Sequence, residues 1–119
     1  MADSKSYEGS CHCGQVRFRA TADVATVVEC NCSICAKRGA LWAFVKAPQF
    51  KLVRGDDALT DYQFGKKKLH HLFCRSCGVG SFSRGLAPNG DETFAINVNC
   101  LDDVDVAALK LTPFDGKNM

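Results

Sequence analysis

Cys30-Asn31-Cys32-Ser33-Ile34-Cys35 puts three thiols within six residues. Two thiol pairs flank it at a distance: Cys11-His12-Cys13 upstream and Cys74-Arg75-Ser76-Cys77 downstream. Three cysteines on one short loop can converge on a single metal ion. Zinc takes four ligands, so a structural site needs a fourth from elsewhere in the chain, whereas a catalytic site leaves the fourth position to water or substrate.

The eight cysteines also admit a disulfide reading. Disulfide frameworks belong to oxidising compartments, and the polar stretch Met1 to Ser10 has no apolar signal-peptide core. The two thiols of a C-x-C on an extended strand share a side but sit too far apart for an easy bond. C-x-C and C-x-x-C spacings suit two ligands gripping one ion, and metal binding is the expectation.

Outward from the thiols, the chain reads as short strands. Val16, Phe18 and Ala20 alternate with Arg17, Arg19 and Thr21, the pattern of a half-buried strand. Val24 to Glu29 is rich in β-branched residues and leads into the thiol loop. Ser33 to Arg38 fits one helical turn with Gly39 as its C-cap. Leu41 to Val45, Phe50 to Val53, Thr60 to Phe64, Leu69 to Phe73 and Ser81 to Arg84 follow as strands, with turn residues between them. Phe94, Ile96, Val98 and Cys100 share one parity, the clearest strand pattern in the chain. The tail from Leu101 fits one short helical turn before Pro113. Strands at roughly 8–12-residue spacing predict an all-β domain with little helix.

The chain has 119 residues, which predicts one domain over residues 1–119, with residues 1–9 a flexible N-terminus. The apolar runs are too short to span a membrane. The net charge of +2 argues against a nucleic-acid or membrane partner. A cytoplasmic location is expected.

The thiols divide as two, three, two and one. The simplest pairing joins Cys11 and Cys13 with Cys74 and Cys77 in a closed four-cysteine zinc site that contributes folding energy directly. His12, between two ligands on an extended segment, should point away from them. Cys30, Cys32 and Cys35 remain, with Cys100 either a fourth ligand or a small core residue on the apolar parity of its strand. Without Cys100 the site is open. Three thiolates overshoot the charge of Zn²⁺ by one, so such an ion is a weak Lewis acid and a poor source of hydroxide. It still deprotonates an incoming thiol. Iron–sulfur ligation fits less well, because the usual four thiolates are not on this loop.

Ser10-Cys11-His12-Cys13-Gly14-Gln15-Val16-Arg17-Phe18, Cys30-Asn31-Cys32-Ser33-Ile34-Cys35, Phe73-Cys74-Arg75-Ser76-Cys77-Gly78 and Ile96-Asn97-Val98-Asn99-Cys100-Leu101-Asp102, with the tail Phe114-Asp115-Gly116, resemble the glutathione-dependent formaldehyde-activating enzyme family, also called the centromere protein V/GFA domain. The resemblance implies an Mss4-like β-sheet fold and two zinc ions. It places the structural zinc on Cys11, Cys13, Cys74 and Cys77, and the catalytic zinc on Cys30, Cys32 and Cys35. It implies a carbon–sulfur lyase that joins glutathione and formaldehyde as S-(hydroxymethyl)glutathione. The chain is shorter than the founding enzyme, so lyase action on a thiol adduct is better supported than glutathione specificity. A non-catalytic zinc-stabilised module that binds protein or nucleic acid is the alternative.

A thiol such as glutathione carries carboxylates, for which Lys37 and Arg38 are the nearest basic residues by sequence, and Arg75 and Arg84 could approach in space. Each also reads as an ordinary solvated charge. Trp42 and Phe44 read as core. His70 and His71 point to opposite faces of one strand, so at most one serves a site. Lys66-Lys67-Lys68 reads as a solvated turn.

Overall fold

Phe18, Ala20 and Ala22 alternate with exposed or half-exposed neighbours along one strand, and that alternation builds the inner face of a small sheet. The computed structural model describes residues 5–22, 24, 26–63, 69–86, 89–102 and 104–114. The small sheet has three strands in the order β1 (Lys5–Ser10), β2 (Arg17–Ala22) and β5 (Phe50–Arg54). The large sheet takes β3 (Thr26–Cys30), β4 (Trp42–Lys46), β6 (Leu59–Tyr62), β7 (Leu69–Cys74), β8 (Phe82–Leu86), β9 (Glu92–Asn97) and β10 (Lys110–Phe114). Its seven strands run in the order β10-β3-β4-β9-β8-β7-β6. One α-helix, α1 (Ser33–Arg38), follows β3 and ends at Gly39, whose φ of 67° supplies the left-handed cap. The fold is all-β and Mss4-like, as the strand spacing and the family resemblance lead one to expect.

Pairing register separates the two faces of the large sheet, because residues opposite one another in a ladder share a face. Val45, Phe94, Arg84 and His70 form one inner row across β4, β9, β8 and β7. Phe44, Ala95, Ser83, His71 and Tyr62 form the outer row one residue along. The inner face packs on the small sheet through four phenylalanines. Phe50 stacks on Phe94 with ring centroids 4.2 Å apart and lies 4.8 Å from Phe82 and 5.6 Å from Phe18. Phe18, Val16, Val27, Ile96 and Val98 are buried around them.

Four expectations change. Residues 1–9 are not flexible throughout: Lys5–Ser10 is β1, held by antiparallel pairing to β2 that its polar composition does not advertise. The strand around Phe94 stops at Asn97, whose side chain accepts from the Asn99 N–H and turns Val98–Cys100 into a 3₁₀ turn. The tail does contain a short helical turn, Val106–Ala108. It then continues as β10, through Pro113, pairing in parallel with β3 at the sheet edge, where a proline costs no ladder bond. Phe44 is not core: it is 57% exposed on the outer row, whereas Trp42, on the same face two residues earlier, is 4% exposed. Phe64, Lys66-Lys67-Lys68 and Asp115-Gly116 lie outside the described residues.

Gly55 has φ 96°, and a Cβ there would meet the Gln15 carbonyl oxygen at 2.3 Å and Val16 Cα at 2.7 Å. Backbone cannot move aside as a side-chain tip can. Gly55→Ala is therefore expected to lower stability by more than about 2 kcal/mol, and Phe44→Ala by less than about 1 kcal/mol. Chemical denaturation of the metal-loaded variants measures both.

Candidate metal centre

Two chain turns of the same design carry the paired thiols. Cys11 and Cys13 sit in the loop after β1, closed by the Gly14 N–H to the Cys11 carbonyl. Cys74 ends β7, and Cys77 lies in its turn, closed by the Gly78 N–H to the Cys74 carbonyl. Each pair is followed at once by a glycine of positive φ, 83° at Gly14 and 80° at Gly78. These turns aim backbone donors at sulfur: the Val16 N–H points to Cys11 Sγ at 3.3 Å and the Ser76 N–H to Cys74 Sγ at 3.4 Å.

The turns bring four thiols together. Cys11, Cys13, Cys74 and Cys77 have their sulfur atoms within 4.8 Å of one another. Cys13 Sγ is 3.6 Å from both Cys11 Sγ and Cys74 Sγ. A tetrahedron of zinc–sulfur bonds of about 2.3 Å sets its sulfurs about 3.8 Å apart, so the donor set and its spacing fit zinc. All eight cysteines are free thiols, and 3.6 Å is far beyond a disulfide bond. His12 is exposed and outside the cluster. Crowding divides the charge among the four. Burial pushes the Cys77 thiol up, but the Cys13 and Val79 backbone N–H groups and the neighbouring thiols outweigh it and bring it down to about 6. The Gln15 N–H lowers Cys13, yet burial and the thiols around it drive that group up to about 11. A divalent ion that replaces the shared protons turns this conflict into attraction.

The second cluster is Cys30, Cys32 and Cys35, again with sulfurs within 4.8 Å of one another. Cys30 ends β3, Cys32 is the N-cap position of α1, and Cys35 lies in its helical turn. The Cys32 N–H donates to Cys30 Sγ at 3.4 Å, and Trp42 Nε1–H donates to Cys35 Sγ at 3.3 Å. Burial raises the Cys32 thiol, but the Cys35 and Ile34 N–H groups and the neighbouring thiols leave it below its ordinary value. Burial and the charge of its neighbours push Cys35 up to about 12, against the pull of Trp42. Among the described residues no fourth histidine, cysteine or carboxylate joins this cluster.

Cys100 goes to the other end. Its 3₁₀ turn lies against β1: Gly9 bridges Leu101, and a Cβ on Gly9 would meet the Cys100 carbonyl at 2.9 Å. Burial first, then the charges of Cys11 and Cys77, raise its thiol to about 11. It is half-buried and belongs to neither cluster.

The basic candidates separate equally clearly. Arg84 faces inward and pairs with Glu92 at 3.3 Å, on the face away from the three thiols. Lys37 and Arg75 are exposed. His70 is engaged with Asp61 at 2.6 Å, while His71 is buried on the outer face. Arg38 is half-buried rather than a solvated surface charge. Sequence reading also gave no sign that Trp42 donates to Cys35, because that contact needs α1 to fold back over β4.

The sequence profile of the glutathione-dependent formaldehyde-activating enzyme family matches residues 6–114. Among solved structures, the chain is similar to a Rhodobacter sphaeroides protein determined by crystallography in a structural genomics programme. The two share 33% sequence identity and a TM-score of 0.77 over 88% of this chain and 99% of that one. No helix among the described residues is long and apolar enough to cross a membrane.

The Trp42 contact supplies a test of the second cluster. Trp42→Phe removes the N–H donor and keeps an aromatic ring, and it is expected to weaken metal binding at Cys30, Cys32 and Cys35 by about tenfold. Competition with a chromogenic chelator should show that loss for one metal equivalent and leave the other unchanged.

Proposed function

The chain belongs to the glutathione-dependent formaldehyde-activating enzyme family, and on that premise we propose that it is a zinc-dependent carbon–sulfur lyase whose reaction joins a thiol to an aldehyde. The named chemistry of the family, glutathione plus formaldehyde to S-(hydroxymethyl)glutathione, is the pattern. Cys11, Cys13, Cys74 and Cys77 hold a structural zinc in this reading, and Cys30, Cys32 and Cys35 a catalytic one.

One observation carries the reading: three thiols converge and, among the described residues, no fourth histidine, cysteine or carboxylate joins them. A binding module stabilised by metal has every reason to close its sites, as the four-thiol cluster does. The reserve thiol, Cys100, sits at the wrong end to close the second. A zinc ion bound by three thiolates holds a fourth, external thiol in its deprotonated form.

The protein's own groups do the rest. Trp42 and the Cys32 N–H hold two of the three sulfurs in place. α1 meets the outer sheet face at Trp42, through Cys35, and on the same face the exposed Phe44, paired with half-buried Ala95, offers an apolar surface for the carbon partner. In the joining direction the thiolate sulfur forms a bond to the aldehyde carbon. The carbonyl π pair moves to oxygen, which takes up a proton. Cleavage is the reverse. The location is proposed to be cytoplasmic, and residues 1–119 to form one domain.

Metal analysis of the pure protein is expected to find two zinc ions per chain. Cys74→Ser is expected to cost more than about 3 kcal/mol of stability or to abolish soluble yield. Cys32→Ser is expected to stay folded with one zinc fewer. Identical behaviour of the two variants would refute the division of ligands.

A small thiol should raise the unfolding temperature in a concentration-dependent way and release a proton on binding, since a free thiol has a pKa of about 8.5. Its S-methyl ether should bind far more weakly. Calorimetry in buffers of different ionisation enthalpy reads the proton directly, and absence of any thiol binding would point to the structural reading.

A further inference from the structure

Arg38 is a half-buried arginine with no hydrogen bond and no carboxylate partner among the described residues. The other arginines drawn into the structure are engaged: Arg17 with Glu8 and Asp102, Arg19 with Glu8, Arg84 with Glu92, and Arg54 with the Gly14 carbonyl. The Arg38 guanidinium lies on the backbone of Gly80, where a Cβ would meet its Cζ and Nη2 at 3.1 Å and its Nη1 at 3.2 Å. Nη1 is shut off from solvent and has no acceptor.

The surroundings are polar, and two hydroxyls in them are also unsatisfied. Ser81, next to Gly80, and Ser83, opposite His71 in the ladder, have buried hydroxyls without partners. Burial and the Arg38 charge lower His71, so that ring lies within the field of the guanidinium. Burial lowers Arg38 itself. Arg38 follows Cys35 by one turn on α1, so the two share a helix face, and its guanidinium rests on Gly80 ahead of β8.

An arginine stays charged under all ordinary conditions. A buried N–H without a partner is costly, and more so on a charged group. A guanidinium also presents paired donors in a fork that matches a carboxylate. We propose that Arg38 is the carboxylate-recognising residue of the thiol site: a thiol held at Cys30, Cys32 and Cys35 binds more tightly when it carries a carboxylate that this guanidinium can grip. A ligand that draws the guanidinium off Gly80 also relieves the unpaired Nη1. The proposal rests on the reading of the three-thiol cluster as a thiol site, and it adds the class of thiol accepted.

The test compares 3-mercaptopropionate with its uncharged amide on the zinc-loaded protein, by calorimetry at one ionic strength, with zinc content measured for every variant. The acid is expected to bind about tenfold more tightly than the amide. Arg38→Gln should abolish that preference and leave amide binding and zinc content unchanged. Arg38→Lys should restore part of it, as a point charge without the fork. Equal affinities in the unmodified protein would overturn the proposal, as would a preference that survives Arg38→Gln. Equal weakening of both thiols, or loss of zinc, would make Arg38 a counter-charge for the thiolates instead. If neither thiol binds the unmodified protein, the thiol-site reading itself fails and takes this assignment with it.

Discussion

Four sulfur atoms that come from opposite ends of the fold must meet within 4.8 Å. Cys11 and Cys13 belong to the loop that joins the first two strands of the small sheet, and Cys74 and Cys77 to the end of β7 in the large one. The phenylalanine layer between the sheets is broad but non-directional, and apolar packing alone tolerates sliding. Thiol convergence is directional and removes that freedom. Cys13 and Cys74 are 61 positions apart, so closing this contact restricts much of the unfolded chain. The glycine that follows each pair makes both turns tight enough to present two sulfurs on one side.

With the inner face committed to the small sheet, the outer face of the large sheet is left for chemistry. The six-residue α1 meets it at Trp42. Trp42 is buried there, its indole N–H on Cys35, and Phe44 is exposed. The same strand, the same face and two similar side chains therefore have opposite environments. A short helix of this length has little stability of its own. Its position comes from the strand before it, the Gly39 cap and the contacts its cysteines make, so a metal bound there would order the loop as well as serve it.

The two clusters offer a metal ion different numbers of ligands. In the four-thiol cluster every sulfur can be a ligand and none is left for an outside molecule. In the three-thiol cluster no fourth histidine, cysteine or carboxylate joins among the described residues. Around it stand a tryptophan donor, a half-buried arginine on a glycine backbone, and buried serines and a histidine on the neighbouring strands. Unsatisfied polar groups are rare in the interior of a folded protein. The Arg38 Nη1 and the Ser81 and Ser83 hydroxyls are such groups, and they gather around Gly80 and the strand that follows it.

Much of this was legible in the residues. Thiol spacing alone sorted Cys11, Cys13, Cys74 and Cys77 from Cys30, Cys32 and Cys35, because a C-x-C or C-x-x-C must present its sulfurs locally whatever the fold. Period-two alternation found β2 and the core of β9, because a strand buries every second residue. Gly39 marked the end of α1 by its lack of a Cβ. What tertiary structure alone decided was which part of each strand face would be covered. That choice exposed Phe44, buried Trp42 and placed Arg38 on Gly80. It sent Cys100 to the four-thiol end, because the Asn97 turn broke the alternation that had put Cys100 on a strand. It also recruited Lys5–Ser10 and Lys110–Phe114 as strands. Local pattern records how often a residue is buried along its own segment. It holds no record of the partner that does the burying, which is fixed only when distant strands pair.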